Sequence, residues 1–148
     1  TDSLVMIETN IDDMNPEIFD AVMESLFKAG ALDVYFSSVI MKKSRPATKV
    51  SVLAEQKKRE VLSKILLRET TSFGVRFYDV GRLTLDREIQ KLKTSYGVIK
   101  IKIGSLDGET VQAAPEFEDC RSLARKKKIP VKKVYDDVLA LAQKKWLA

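Results

Sequence analysis

The chain contains no histidine and a single cysteine, Cys120, among its 148 residues. Lack of histidine excludes Ser-His-Asp and Cys-His catalysis, imidazole acid–base chemistry and His-ligated zinc within this chain. One cysteine rules out an intramolecular disulfide framework, which points to a cytoplasmic protein. No apolar run approaches the roughly 18 residues of a transmembrane helix, and no signal-peptide pattern opens the chain, so no membrane partner is expected. The six glycines are scattered. No GxxxxGK(S/T) sequence occurs, which argues against a P-loop NTPase. Chemistry must therefore come from carboxylates, Lys, Arg, hydroxyls, amides, the one thiol or a bound cofactor. The chain begins at Thr1 rather than Met, so part of a longer protein is expected.

What is present is ordinary in amount and uneven in placement. The length suits one domain or two small ones, and 45% apolar with 32% charged residues is the balance of a soluble globular protein. The net charge of +5 hides an asymmetry. Residues 1–33 hold eight acids against one base, Lys28, whereas the other 115 residues hold 25 bases and 13 acids. Lys42, Lys43, Arg45 and Lys49 occur with no acid between Val34 and Ala54, and Arg121 to Lys133 adds seven bases and no acid. An acidic lip with a basic remainder suits a metal-bridged polyphosphate, and equally suits self-association through complementary patches. Nucleic acid is disfavoured as a partner, because the aromatics form no recognisable base-stacking motif.

The first half reads as β-α-β-β-α-β. Leu4–Ile11 is a β-rich run in which Val5 and Ile7 alternate with Met6 and Glu8. Asn15 as N-cap with Pro16 at the first helical position starts a helix, whose Ile18, Phe19, Val22, Met23, Leu26 and Phe27 share one face. Gly30 ends it. Leu32–Met41 is the next strand, and a basic loop, Lys42–Ala47, leads to a third at Thr48–Ala54. Lys57–Thr71 is a second helix with Val61, Leu62, Ile65 and Leu66 inward; after Gly74, Val75–Leu85 is the fourth strand. This order is the ferredoxin-like pattern, an antiparallel sheet with both helices on one face.

The second half reads as a β-meander followed by two helices. Arg87–Thr94, Val98–Leu106 and Thr110–Ala114 are strands, with a hairpin turn at Asp107-Gly108. Pro115 opens a helix at Glu116–Lys127 carrying a buried Cys120, and Val131–Leu147 is the last helix, with Val134, Tyr135, Val138 and either Leu141 or Ala142 inward. The expected class is α+β, with subdomains at 1–85 and 86–148 packed as one unit.

Three segments carry chemistry. Asn10 to Asn15 places Asp12 and Asp13 between a strand end and a helix start, where hard cations such as magnesium or manganese find oxygen ligands; these residues also suit simple helix capping. Lys42, Lys43 and Arg45 combine point charges with a bidentate fork, the equipment for a polyphosphate, and equally form a solvated basic loop. Arg68, Thr70, Thr71, Ser72 and Arg76 can receive phosphate, ribose or base, or merely stop a helix.

Taken in order, these segments resemble the C-terminal domain of the LarC family, nickel-insertion proteins for the nickel-pincer nucleotide cofactor of lactate racemase. The residues that carry the resemblance are Glu8 to Met14 with Pro16-Glu17, Gly30 to Val34, Met41-Lys42-Lys43 with Arg45-Pro46, and Arg68 to Thr71 with Gly74-Val75-Arg76. Tyr96-Gly97, Pro115 to Cys120 and Pro130 before Val134-Tyr135 continue it. The resemblance implies nickel insertion into pyridinium-3,5-bisthiocarboxylic acid mononucleotide, a chelatase (lyase) reaction with CTP cleaved to CMP and pyrophosphate. It further implies a CTP-binding, homo-oligomerising domain that works with a separate N-terminal domain. Asp12 and Asp13 would then hold Mg or Mn with CTP, while Lys42, Lys43, Arg45, Arg68, Thr70, Thr71 and Arg76 would contact phosphates or sugar. Family members are much longer. With no histidine and one thiol expected in the core, this chain lacks the ligands nickel favours, so nickel insertion by this chain alone is not expected. The alternative is a non-catalytic ferredoxin-like assembly or regulatory module.

Overall fold

The computed structural model describes residues 2–147. These fall into two compact units, divided between Leu83 and Thr84.

In the first unit β1 (Asp2–Ile11), α1 (Ile18–Lys28), β2 (Asp33–Met41), β3 (Arg45–Glu55), α2 (Arg59–Glu69) and β4 (Arg76–Arg82) follow in turn. The sheet order is β2-β3-β1-β4, and each neighbouring pair is antiparallel. This is the expected ferredoxin-like arrangement. Strand alternation sends Val5, Ile7 and Ile11 of β1, with their neighbours Val50 and Val52, to one face. There they meet Val22 and Leu26 of α1 and Leu62 and Leu66 of α2 in one buried cluster. Both helices thus cover the same side of the sheet. Burial of each Leu or Ile contributes about 1.5–3 kcal/mol, so this cluster supplies much of the unit's cohesion. The helix α1 ends where Gly30 takes φ +103°, with its N–H on the Phe27 carbonyl and the Ala31 N–H on that of Leu26. This is a Schellman cap.

Several boundaries differ from expectation for identifiable reasons. The expected loop Lys42–Ala47 is only a three-residue turn, Lys42–Ser44, because Arg45, Pro46 and Ala47 already pair with Met41, Ile40 and Val39. Pro46 is tolerated in β3 because pairing with β1 on the other side stops at Thr48. The first helix begins at Ile18 rather than Pro16, although the Asn15 side chain does accept the Glu17 N–H at 3.1 Å. The second helix is shorter than expected, since Gln56–Lys58 is a separate 3-10 turn, and Val61 is exposed. The fourth strand stops at Arg82, where its pairing with β1 ends.

In the second unit β5 (Asp86–Thr94), β6 (Gly97–Leu106) and β7 (Glu109–Pro115) form an antiparallel meander, followed by α3 (Phe117–Lys127) and α4 (Val131–Trp146). Ile99, Ile101 and Ile103 are buried against Cys120, Ala124, Val134, Val138 and Ala142. Asp107 and Gly108 both have positive φ, as a type I′ hairpin requires. Pro115 closes β7 instead of opening the helix, and Ala142 rather than Leu141 faces the core. Among the described residues no helix is long and apolar enough to cross a membrane.

Candidate functional site

Register brings three connections to one end of the first sheet. Ile11 pairs with Thr48, Met41 with Arg45, and Glu8 with Arg76. The ends of β1 and β2 and the starts of β3 and β4 therefore share that end. The 12–17 connection, the Lys42–Ser44 turn and the 70–75 connection all emerge there. Asp12 accepts from Arg45 Nη1 at 3.3 Å, which ties the first connection to the basic turn. Asp13 accepts from the Thr71 hydroxyl at 2.6 Å and ties it to the third. Two adjacent carboxylates thus join segments far apart in sequence.

The third connection is pinned further. The Thr9 hydroxyl lies 2.7 Å from that of Ser72 and donates to the Gly74 carbonyl at 3.1 Å. The Ser72 N–H donates to the Thr70 hydroxyl, which itself bonds back to the Leu66 carbonyl at the end of α2. The polar run expected to stop the helix does so. It also builds a rim beside β1.

On the sheet face away from the helices sits Glu8, only 6% exposed. Its carboxylate accepts from the Tyr78 hydroxyl at 2.8 Å and from Arg76 Nε at 3.1 Å, with Lys49 Nζ 3.9 Å away. Burial pushes the Glu8 carboxyl up, but the Tyr78 hydrogen bond and the charges of Lys49 and Arg76 outweigh it and hold the group below its ordinary value. The same contact pushes the Tyr78 phenol up. Arg76 also donates to Asn10 Oδ1 at 3.2 Å. Ser51, the register partner of Glu8, is fully buried, and its hydroxyl has no partner among the described residues.

Of the residues singled out in sequence, Asp12 with Arg45 and Asp13 with Thr71 form two separate contacts at this end, Thr70 closes α2 beside them, and Arg76 belongs to a distinct cluster around Glu8. Lys42 and Lys43 project from the turn and make no ion pair among the described residues. In that turn Lys43 and Ser44 both hold positive φ, at 61° and 56°. Arg68 lies in the last turn of α2, without an ion pair among the described residues. Lys49, Asn10 and Tyr78 complete the Glu8–Arg76 cluster. Of these, Glu8 was visible as a lone acid in an apolar strand, while nothing local marked Tyr78.

Asp12 and Asp13 are two carboxylates, and among the described residues no group of three or more acids and thiols could hold a metal by itself. Two carboxylates fit a magnesium or manganese ion that takes its other ligands from water and phosphate. They do not fit a resident nickel site, which favours thiolate or imidazole. Cys120 lies in the core of the second unit, where burial and the neighbouring Asp119 charge push its thiol up.

The geometry defines a ferredoxin-like α+β domain with a basic, hydroxyl-rich edge. Residues 1–135 match the family model described as nickel insertion protein, and the chain belongs to that family. It is 42% identical over 134 residues to the pyridinium-3,5-bisthiocarboxylic acid mononucleotide nickel insertion protein of Thermotoga petrophila, covering 90% of this chain and 34% of the relative. The protein of that name from Clostridium acetobutylicum is 47% identical over 133 residues, covering 90% of this chain and 32% of the relative. The chain thus spans about a third of the length of these relatives. It is also similar to the apo C-terminal domain of a cyclometallase involved in synthesis of the NPN cofactor of lactate racemase. That match has TM-score 0.88 and 38% identity, covering 95% of each chain. A protein of Methanopyrus kandleri shares the fold, with TM-score 0.72 at 24% identity, covering 95% of this chain and 86% of the other.

Proposed function

We propose that this chain is the CTP-binding and oligomerising domain of a nickel insertase. In that assembly, nickel enters pyridinium-3,5-bisthiocarboxylic acid mononucleotide as CTP is cleaved to CMP and pyrophosphate. The observation that carries the proposal is the joining of three connections through Asp12–Arg45 and Asp13–Thr71. That junction leaves Lys42 and Lys43 free of ion pairs among the described residues, beside two carboxylates suited to a metal-nucleotide.

Asp12 and Asp13 would hold magnesium or manganese, which supplies charge neutralisation across the phosphates. Lys42, Lys43, Arg45 and Arg76 bind the triphosphate and stabilise the charge that builds on it during cleavage. Thr70 and Thr71 present hydroxyls to sugar or phosphate, and Arg68 adds positive field from the end of α2. Nickel is the cargo. Its ligands come from the nucleotide substrate and from a partner domain, because this chain offers no imidazole and its thiol is buried.

The test is calorimetric titration of the chain with CTP, ATP and GTP in the presence of manganese. Saturable binding that favours CTP supports the proposal. No binding overturns it and favours a purely structural assembly module, whereas equal binding of all three overturns the assignment of CTP as the ligand.

A further inference from the structure

Phe73 is anomalous. Its side chain stands fully in solvent, more exposed than any other large apolar residue described. A phenyl ring left in water forgoes the stabilisation that burial would give, and a mobile loop would ordinarily let it fold back. Here the backbone on both sides is held. Thr71 is fixed by Asp13, Ser72 by Thr9 and by the Thr70 hydroxyl, and Gly74 by Thr9, which is itself 3% exposed. The loop therefore presents the ring outward on a rigid mount.

The ring lies at the rim of a cavity of about 430 Å³ that Glu8, Asn10, Met41, Gly74 and Arg76 help to line. That volume lies within the range of small-molecule sites. The next residue after Met41 is Lys42, so the cavity borders the basic turn. Apart from its chain neighbours, nothing lies within 4 Å of the place a side chain would start at Gly74. A planar apolar platform beside cations and hydroxyls matches the two halves of a nucleotide: an aromatic base and an anionic tail.

We propose that Phe73 is the platform on which the nucleotide base stacks. This rests on the nucleotide reading above and adds one consequence to it. Stacking on phenyl depends weakly on base identity, since every base has a π-face. Phe73 therefore contributes affinity for nucleotides whatever their base, while selection of cytosine is made by polar groups at the cavity wall.

The experiment compares the chain with F73A and F73W, titrated with manganese plus CTP, UTP or inorganic tripolyphosphate, with oligomeric mass measured alongside. F73A is expected to weaken CTP and UTP by a common factor of about 5- to 100-fold. Tripolyphosphate binding and mass should stay unchanged, and F73W should retain the CTP affinity. Equal loss for CTP and tripolyphosphate would show a collapsed loop and overturn the proposal. Unchanged CTP affinity, or a changed mass with unchanged affinity, would make Phe73 a bystander or a subunit contact and also overturn it. If the parent chain binds tripolyphosphate as tightly as CTP, base stacking fails while the anion-binding edge stands. If it binds neither, the nucleotide reading fails and stacking falls with it.

Discussion

Arg76 reaches from β4 to β1 and places Nη2 3.0 Å and Nε 3.1 Å from one oxygen of Glu8. Sixty-eight positions separate the two residues, and only the antiparallel register of β1 with β4 sets them side by side. The other carboxylate oxygen takes the Tyr78 hydroxyl. Glu8 thereby orients an arginine at the edge of the candidate site and limits how much of its charge is open to a ligand. Replacing Glu8 with Gln removes the charge and keeps the shape. The expected cost is about 1–2 kcal/mol of stability, measured by denaturant unfolding.

The same carboxylate makes stability depend on acid. Its folded value lies below the ordinary 4.5, so between the two values the unfolded state binds more protons. The stabilisation is complete above the ordinary value and is lost as pH falls through the folded one. Denaturation midpoints should therefore drop on acidification below that range, and Glu8→Gln should flatten the slope. An identical acid limb in the variant would assign the effect to other groups.

The fold was largely legible because its cues are local. Alternation in Leu4–Ile11 and the Gly30 stop each act within a few residues, and Asn15-Pro16 marks the coming helix two positions before it begins at Ile18. The candidate site was legible as charges, since Asp12, Asp13, Lys42, Lys43 and Arg45 sit in short polar runs. Their partnerships were not, because pairing across strands depends on register. Tyr78 has no local signature that marks it as the Glu8 partner. Phe73 would by hydrophobicity alone belong in a core, yet it stands fully exposed between hydrogen-bonded neighbours.

Gly30 tests the helix stop. Its φ of +103° is poorly accessible to residues with a Cβ, whereas the nearest atom an added Cβ would meet is the Lys58 Cε at 3.1 Å, on a flexible side chain. Backbone conformation therefore dominates the cost. Gly30→Ala should lose about 1–2 kcal/mol in chemical denaturation.

Lys43 separates stability from binding. It holds φ 61° in the basic turn without being glycine, a conformation that costs about 1 kcal/mol. Lys43→Gly should stabilise the hairpin by up to about 1 kcal/mol while weakening CTP binding in the same preparation. A gain in stability with full affinity would remove Lys43 from the phosphate contacts.

Charge reversal distinguishes nucleotide binding from assembly. Lys42→Glu with Lys43→Glu should reduce CTP affinity by roughly tenfold or more and leave the oligomeric mass unchanged. Changed mass with unchanged affinity would instead mark the basic turn as a subunit contact.

The most direct measurement is a co-crystal structure with manganese and CTP, read through the anomalous signal of the metal. The account predicts one manganese peak at the Asp12 and Asp13 carboxylates, shared with the triphosphate, with Lys42, Lys43 and Arg76 on phosphate oxygens. A nucleotide bound away from that sheet end, or manganese held elsewhere with both aspartates still on Arg45 and Thr71, would contradict it.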